Sequence, residues 1–499
     1  MVCRINLLIK EIKDVACRLR TRTSRLVLLM MVTGIALLPT ACAVGPDYVR
    51  PTTAAPPAYK EAGDWKIAQP GDHVIRGKWW EIFNDSQLNA LEEQVNISNQ
   101  NIAAAEAQFR QAQALVHVAQ AAFFPTITGG VAFTRALRSS TLTANPIAGG
   151  VPTTDYNLPV NLSWEADVWG RIRRSVEASR ASAQASAADL QAARLSVQTA
   201  LAQNYFQLRT LDAQKQLLDA TVAAYQKSLD LTKNRYNSGV ATRGDVLQAE
   251  TQLKTTQAQA IDVGVQRAQF EHAIALLVGK PASLFSIPVL PMNIAAVPPD
   301  IPQGVPSELL ERRPDIAGAE RRMAAANAQI GVAKAAWFPK VTLGAAAGYE
   351  SGSSAQWLTW PSHYWSLGPA IAETLFDGGL RSAQVAQARA AYDATVASYR
   401  QTVLTGFQEV EDNLAALRIL EQEAATQQEA VKAAQQSVTF VTNQYKAGTV
   451  NYLSVIVTQA AALTNESTAV NIMNRRMVAS VLLIKALGGG WNSSSLPTD

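Results

Sequence analysis

Residues 171–238 read RIRRSVEASRASAQASAADLQAARLSVQTALAQNYFQLRTLDAQKQLLDATVAAYQKSLDLTKNRYNS. The stretch contains no proline and no glycine, and it is rich in alanine, glutamine and leucine. Because proline breaks a helix and glycine costs about 1 kcal/mol in a helix interior, this composition predicts one unbroken α-helix. At about 1.5 Å per residue the helix is roughly 100 Å long. The sequence therefore predicts an elongated protein that extends over a long distance.

Large apolar residues recur along this helix at steps of three, four or seven. Such spacing predicts a narrow packing seam, with small or polar residues elsewhere allowing close approach of other helices. A soluble coiled coil and a core helix of a bundle are the simpler alternatives, and the length argues against the core helix. The seam consists of Leu190, Val197, Leu201, Leu208, Leu211, Leu218, Val222, Tyr225 and Leu229.

The chain repeats this plan in its second half. Residues 380–447 lack proline and contain a single glycine, Gly406. Nearly constant offsets relate short motifs of the two halves, which predicts an internal duplication. The matching pairs are 119–125 with 333–339, 169–173 with 377–381, 236–239 with 445–448, and 277–279 with 486–488.

Each half also predicts two strands, at 125–135 and 155–164 in the first and at 340–349 and 363–372 in the second. Apolar and polar residues alternate over about ten positions, which is typical of transmembrane β-barrels but also of a half-buried strand pair in a soluble sheet. Four strands cannot close a barrel, and open edges are not tolerated in lipid. Strands that span a membrane would therefore require several copies of the chain in a cyclic homo-oligomer.

The N-terminus predicts an export signal. Seven basic residues precede an apolar run from Leu26 to Leu38, which ends in Pro39-Thr40-Ala41-Cys42. This arrangement predicts a signal peptide at 1–41 and lipid attachment at Cys42. Removing it takes away seven basic and two acidic residues, so the formal charge falls from +4 to −1. The basic charge thus belongs to the signal, and no nucleic-acid partner is predicted. No apolar run beyond it reaches about 18 residues, so no membrane-spanning helix is expected.

The predicted organisation follows from these features. A lipid-anchored tether and equatorial segment at 42–85 follows the signal peptide, and a proline-rich connector at 281–313 separates the two repeats. The first repeat, 86–280, has a helix, a β-hairpin at 125–164 and a helical hairpin at 170–280. The second repeat, 314–488, has a helix, a β-hairpin at 340–372 and a helical hairpin at 379–488, and a C-terminal tail follows at 489–499.

Catalysis is not expected. The four histidines are scattered without ligand or triad spacing, and all three cysteines lie within the first 42 residues. Asp167 and Asp377 stand at strand-to-helix junctions, where helix capping explains them. We predict no catalytic, metal or cofactor site, and the chain has no phosphate-binding glycine loop that would supply energy.

Cys42 is followed by VGPDYVRP at 44–51, WWEIFND at 79–85, PSELLERRPDI at 306–316, FDGG at 376–379 and ALGGGW at 486–491. These motifs, in this order, resemble the TolC-type outer-membrane efflux protein family, in its lipoprotein branch that serves resistance–nodulation–division pumps. The resemblance covers essentially the whole mature chain.

The resemblance implies a mainly α-helical homotrimer with a small β part. Twelve pooled strands would form an outer-membrane β-barrel that continues into a periplasmic α-helical barrel. The chain would be the passive exit duct of a tripartite efflux system, releasing drugs or other toxic compounds delivered by an inner-membrane pump through a periplasmic adaptor. The alternatives are a lipid-anchored periplasmic coiled-coil adaptor or structural protein, and the outer-membrane duct of a type I protein secretion system.

The resemblance also implies that the two helix–helix turns form the inner tip, which contacts the adaptor and constricts the closed pore. Family members often carry carboxylates just after the second turn, where this chain has Ser454 and Val457. We therefore expect the tip to close by packing and hydrogen bonds more than by clustered acids. The remaining candidate tip residues are Tyr236, Gly239, Arg243, Asp245, Tyr445 and Gly448.

Overall fold

The computed structural model describes residues 43–51, 56, 58–62, 77–137, 139, 152–291, 298–299, 301 and 309–497. Two short helices, α1 (Ser86–Ser98) and α2 (Gln100–Ala121), precede the first strands. Helices α3 (Arg171–Asn237) and α4 (Arg243–Leu277) follow them. The second half contains α5 (Leu309–Arg312), α6 (Pro314–Ala335), α7 (Leu380–Lys446) and α8 (Tyr452–Ala486). The strands are β1 (Thr126–Gly129), β2 (Ala132–Ala136), β3 (Thr153–Glu165), β4 (Lys340–Ser351) and β5 (His363–Ala372).

Corresponding helices of the two halves have equal lengths. Helices α3 and α7 each have 67 residues, α4 and α8 each have 35, and α2 and α6 each have 22. At the helical rise, each 67-residue helix is about 100 Å long, as the absence of proline predicts. Seven of the nine predicted seam residues of α3 are buried, whereas Val197 and Val222 are half-buried.

The chain forms two compact units. The described residues of 1–49, 115–180 and 324–393 make up the first unit, which contains the β-sheet. Those of 50–114, 181–323 and 394–499 make up the second, which contains the turns between the paired long helices. Its main apolar core includes the indole rings of Trp79 and Trp80, which meet edge to face with centroids 5.9 Å apart.

The helix predicted before the first hairpin is present as α2, and the structure adds α1 in front of it. Asn99 separates α1 from α2, and its side chain accepts hydrogen bonds from the backbone amides of Asn101 and Ile102. Its own amide group donates to the carbonyl of Leu277, at the end of α4. Asn99 therefore ends one helix and caps the next.

The sheet is antiparallel, with β3 and β4 at its centre. β1 and β2 pair with one side of β3, β4 pairs with the other side, and β5 pairs with the far side of β4. The strand predicted at 125–135 is divided, because Pro159 of β3 lies opposite the break and has no amide hydrogen to donate. Gly130 still donates to the carbonyl of Pro159 at 3.1 Å, so β1 and β2 keep one register.

The register gives the sheet one apolar and one polar face. Ile127 pairs with Leu162, Leu162 with Ala345, and Ala345 with Leu367, so these four side chains share a face. Large residues on this face are exposed in the single chain, including Ile127 at 66% and Trp365 at 73%. The opposite face is mainly polar or small, with Thr128, Asn161, Ser163 and Gly344 among its residues and with alanines at several positions. The predicted alternation is confirmed.

The aspartates at the strand-to-helix junctions act as caps, as predicted. Asp167 accepts from the backbone amides of Ile172 and Arg173 at 2.8 and 2.9 Å. Asp377 accepts from those of Gly379 and Arg381 at 2.9 and 3.2 Å. Both carboxylates therefore satisfy amides at a helix start, where the helix dipole favours negative charge.

Candidate functional site

The first turn joins α3 to α4. Gly239 takes a φ of +75°, and its amide donates to the carbonyl of Tyr236 at 2.9 Å. Open space surrounds the position that a Cβ would occupy, so the left-handed backbone is the reason for glycine here. The amides of Val240 and Ala241 both donate to the carbonyl of Arg235, at 2.8 and 3.2 Å. These bonds satisfy carbonyls that the end of α3 would otherwise leave unpaired.

Asp245 is a capping residue in the structure. The Thr242 side chain accepts from the Asp245 amide at 3.2 Å, while the Asp245 carboxylate accepts from the Thr242 amide at 2.8 Å. This reciprocal pair is a capping box at the start of α4. Arg243, the other charged candidate of this turn, is exposed.

The second turn joins α7 to α8 and follows the same plan. Gly448 has a φ of +82°, and its amide donates to the carbonyl of Tyr445 at 3.0 Å. Asn451 caps α8 by accepting from the amide and the hydroxyl of Ser454, at 3.2 and 3.0 Å. Val457 lies one turn further along α8 and is largely exposed.

The two turns contact each other through an apolar cluster, which we call the tip cluster. The Tyr445 and Tyr452 rings lie 5.4 Å apart, and the Tyr445 hydroxyl donates to Thr232 at 3.4 Å. Burial raises the pKa of the Tyr225 and Tyr452 hydroxyls above its usual value. The tip cluster consists of Tyr225, Leu229, Ala249, Leu253, Tyr445, Tyr452 and Val455.

The duplicated tyrosines occupy different environments. Tyr445 is 4% exposed within the tip cluster, whereas Tyr236 is 44% exposed. The sequence treats them as equivalent because they occupy the same position of the repeat. Only Tyr236 is open to a partner in the single chain.

Arg235 is a tip residue that the sequence reading missed. Its guanidinium lies 4.7 Å from the centre of the Tyr445 ring and donates to the carbonyl of Lys446 at 3.1 Å. The corresponding residue of the second repeat is Gln444. This difference between the two repeats is the sequence signal that could have identified Arg235.

Cys42 lies outside the described residues, but the residues that follow it are held in the first unit. The Val44 amide donates to the carbonyl of Trp169 at 3.0 Å, and Arg174 forms an ion pair with Asp47 at 2.7 Å. A Cβ on Gly45 would lie 2.5 Å from the Cα of Gly331, so the two backbones touch only because both residues are glycine.

Among the described residues, no group of three or more histidine, cysteine, aspartate or glutamate side chains could hold a metal ion. None of the helices in the described ranges has an apolar stretch long enough to cross a membrane.

Sequence comparison identifies the family of the chain. The sequence profile described as outer membrane efflux protein matches residues 91–280 and 305–489, well over half of the chain. This chain belongs to the outer membrane efflux protein family. The two matched ranges contain the long helices, the sheet and both turns of this efflux protein.

Known efflux proteins are similar over nearly their whole lengths. The pyoverdine export outer membrane protein OpmQ of Pseudomonas aeruginosa is 30% identical over 462 residues, which cover 92% of this chain and 96% of OpmQ. The toluene efflux pump outer membrane protein TtgF of Pseudomonas putida is 31% identical over 471 residues, with 91% and 96% coverage. A solved structure of the outer-membrane channel OprN matches with a TM-score of 0.85 and 30% identity, covering 90% of this chain and all of that one. This efflux protein is therefore the outer-membrane component of a tripartite efflux system.

Proposed function

We propose that this efflux protein is a homotrimeric exit duct, in which each copy contributes four strands to a twelve-stranded barrel, with β1 and β2 counted as one interrupted strand. The observation that carries the proposal is the β-sheet, with its exposed apolar face and with outer edges on β1–β2 and β5 that have no partner strand among the described residues. Unpaired edges are not stable in lipid, and a barrel removes them. Joining the β5 edge of one copy to the β1–β2 edge of the next closes such a barrel.

The long helices then form a tunnel in the periplasm. Helices of about 100 Å reach far from the membrane in which the strands lie. The turns after α3 and α7 form the inner tip, where exposed residues such as Tyr236 and Val457 contact a periplasmic adaptor. The inner-membrane pump is of the resistance–nodulation–division type, as the resemblance to the lipoprotein branch implies.

The transported compounds are small organic molecules, including drugs and other toxic compounds. Support comes from the names of two relatives, which describe pyoverdine export and toluene efflux. The duct itself is passive, and the pump supplies the energy.

Cys42 anchors the chain to the outer membrane through attached lipid after removal of the signal peptide at 1–41. Support comes from the small residues before Cys42 and from the contacts that hold residues 44–47 on the first unit. A fixed segment beside the acylated cysteine would keep the lipid next to the sheet. For the tether, the two repeats, the connector and the tail, we propose the same residue boundaries that the sequence predicts.

The closed tip is held by packing and hydrogen bonds. At the positions where relatives often have acids, Ser454 shares in the cap of α8 and Val457 presents an apolar surface. Asp245 already serves as a cap in the first turn. Strong block of single channels by divalent cations acting at the tip would contradict this part of the proposal.

A pair of adjacent substitutions tests the membrane role of the sheet. Leu367 lies on the apolar face of β5, and Ser366 lies on the polar face. Arginine on a lipid-facing position costs about 2–4 kcal/mol at the middle of a membrane. Leu367→Arg should therefore lower the yield of heat-modifiable oligomer in outer membranes, whereas Ser366→Arg should leave it near wild type. Equal yields of the two variants would contradict the assignment of the faces.

Channel formation tests the duct itself. Purified wild-type protein in planar lipid bilayers should give discrete conductance steps without an added energy source. A preparation that is extracted without detergent and gives no conductance would overturn the proposed function.

A further inference from the structure

Four charged side chains of the first repeat hold part of the connector, and we call them the connector clasp. Arg209 and Asp212 lie on α3, and Arg267 and Glu271 lie on α4. The Asp212 carboxylate accepts from Arg209 at 3.0 Å and from Arg267 at 2.7 Å, and its side chain is 1% exposed. Buried charges are tolerated when they are paired and hydrogen-bonded, and the two cations and two anions of the connector clasp balance each other.

The connector clasp binds the backbone of a non-helical segment. Its arginines donate to the carbonyls of Ile287 and Pro288, both at 2.8 Å. Its carboxylates accept from the amides of Ile287 and Leu290, at 2.6 and 3.1 Å. A residue before proline favours an extended backbone, and the Ile287 side chain is buried in the main apolar core. The connector clasp therefore recognises an extended aliphatic–proline segment through its main chain.

The second repeat keeps three of the four charged residues. The first arginine of each set lies 38 positions after the start of α3 or α7, and the second lies 24 positions after the start of α4 or α8. Only Glu271 is replaced by an uncharged residue. At the repeat offset of 209, the equivalent residues are Arg418, Glu421, Arg476 and Ser480.

Among the described residues, these side chains do not form a second clasp. Arg418 forms an ion pair with Glu61 of the tether. No ion pair or hydrogen bond joins the side chains of Glu421 and Arg476 to each other or to a backbone group in the described ranges, and the Nε atom of Arg476 is buried without a partner. Both side chains line a cavity of about 960 Å³ between α3, α7 and α8. The second repeat thus keeps the charges, but no segment of the described chain is bound by them.

The tail of the chain matches the bound segment in sequence but lies elsewhere. Ser495-Leu496-Pro497 corresponds to Ser286-Ile287-Pro288 at the same offset of 209. The carbonyl of Pro497 accepts from the Gln184 side chain of α3 at 3.0 Å. Gln184 lies 33 positions before Leu217, the first residue of α3 that lines the cavity, which is about 50 Å along the helix. In this structure the tail therefore leaves the cavity accessible.

We propose that the cavity at Glu421 and Arg476 binds an extended segment of a partner protein, with an aliphatic residue followed by proline. Arg476 donates to a carbonyl of the segment and Glu421 accepts one of its amides, as the equivalent residues do in the connector clasp. The aliphatic side chain packs against Met473 and Ala469, which lie on the same face of α8 as Arg476 and line the cavity. The occupant is a different protein, because the connector of each copy lies in its own clasp and the tail lies on α3.

A labelled peptide with the sequence of residues 284–291, LFSIPVLP, probes the site. Fluorescence anisotropy with the full-length oligomer in detergent should show saturable binding of one peptide per chain. Arg476→Ala and Glu421→Gln should each weaken binding about tenfold, because each loses a hydrogen bond to a charged group. A peptide carrying Ile287→Lys should not bind, because its side chain would place an unpaired charge in an apolar lining.

Arg475 supplies the matched control. It is adjacent to Arg476 and carries the same charge, but it is exposed and forms its ion pair with Glu423. Arg475→Ala should therefore leave peptide binding unchanged. Equal binding by wild type and Arg476→Ala would overturn the proposal, and so would the absence of saturation below about 1 mM.

Two further outcomes would reassign the occupant. Tighter peptide binding after deletion of residues 492–499 would identify the protein's own tail as the occupant and overturn the assignment to a partner. Binding to dissociated single chains but not to the oligomer would show that a second copy covers the cavity, which would also overturn it. Equal affinity of the full-length and shortened oligomers for the peptide would support a site reserved for a partner.

Discussion

Replacing Glu92 with glutamine should stabilise the protein at alkaline pH. The Glu92 side chain, on α1, is 0% exposed, and neither carboxylate oxygen has a hydrogen-bond partner among the described residues. Burial raises the pKa of Glu92 well above its usual value, because the charged form loses its hydration. The folded protein therefore keeps the carboxyl protonated where the unfolded chain, with a pKa near 4.5, has released the proton.

The sign of the pH dependence follows from this difference. The contribution of Glu92 to stability is fully present below pH 4.5 and is lost as the pH rises towards the folded-state pKa. Because glutamine does not titrate, the gain in free energy of unfolding from Glu92→Gln should be small at pH 5 and should increase towards pH 8.

A second substitution at this position, Glu92→Met, gives the size of the expected change in the free energy of unfolding. A buried polar group without a partner costs about 1–3 kcal/mol. Methionine has a similar length and no such group, so Glu92→Met should raise the free energy of unfolding by about 1–3 kcal/mol near neutral pH. The neighbouring Glu93 is exposed and forms an ion pair with Lys78. Glu93→Gln, the control, should change stability by less than about 1 kcal/mol.

Denaturant titration followed by tryptophan fluorescence measures these differences on purified protein in detergent. Each variant should be compared with wild type at several values between pH 5 and pH 8. A Glu92→Gln effect that stays constant over this range would refute the reasoning. A loss of stability of Glu92→Gln relative to wild type at pH 8 would refute it too.

Further predictions concern the sheet, the core and the N-terminus. Gly348→Val should sharply reduce the yield of folded protein in outer membranes, because a Cβ there would collide with the carbonyl oxygen of Leu158; an unchanged yield would contradict the register of β3 and β4. Tyr205→Phe should lower the free energy of unfolding by about 1.5–3 kcal/mol, because the buried hydroxyl donates to Asp85 at 2.6 Å. Denaturant titration checks this, and a change below about 0.5 kcal/mol would argue against a charge-assisted bond. Cys42→Ala should abolish incorporation of labelled palmitate, and wild-type labelling would exclude this residue as the lipid site.

The regular elements were predictable because each has a periodic or compositional signal. The absence of proline and glycine over 171–238 predicts a helix that the structure has at Arg171–Asn237. Alternation over 340–349 and 363–372 predicts β4 and β5 within two residues. These signals are local and therefore need no knowledge of the tertiary structure.

The differences depend on tertiary contacts or on single residues. Pro159 lies on β3, opposite the break between β1 and β2. Its effect on that break can be recognised only when the pairing register of the strands is known. Tyr236 and Tyr445 have the same place in the repeat, and only the packing of the tip cluster separates them. The contact of Arg235 with Lys446 joins the two halves of the chain, so the sequence difference between Arg235 and Gln444 marks the residue but not its partner.

Native mass spectrometry of the protein extracted from outer membranes tests most directly whether copies of this chain complete the open sheet. The account predicts a complex with the mass of three mature chains, stable in detergent under conditions that keep the sheet folded. A folded protein with the mass of a single chain would contradict it, because one copy leaves two strand edges and an apolar sheet face without partners.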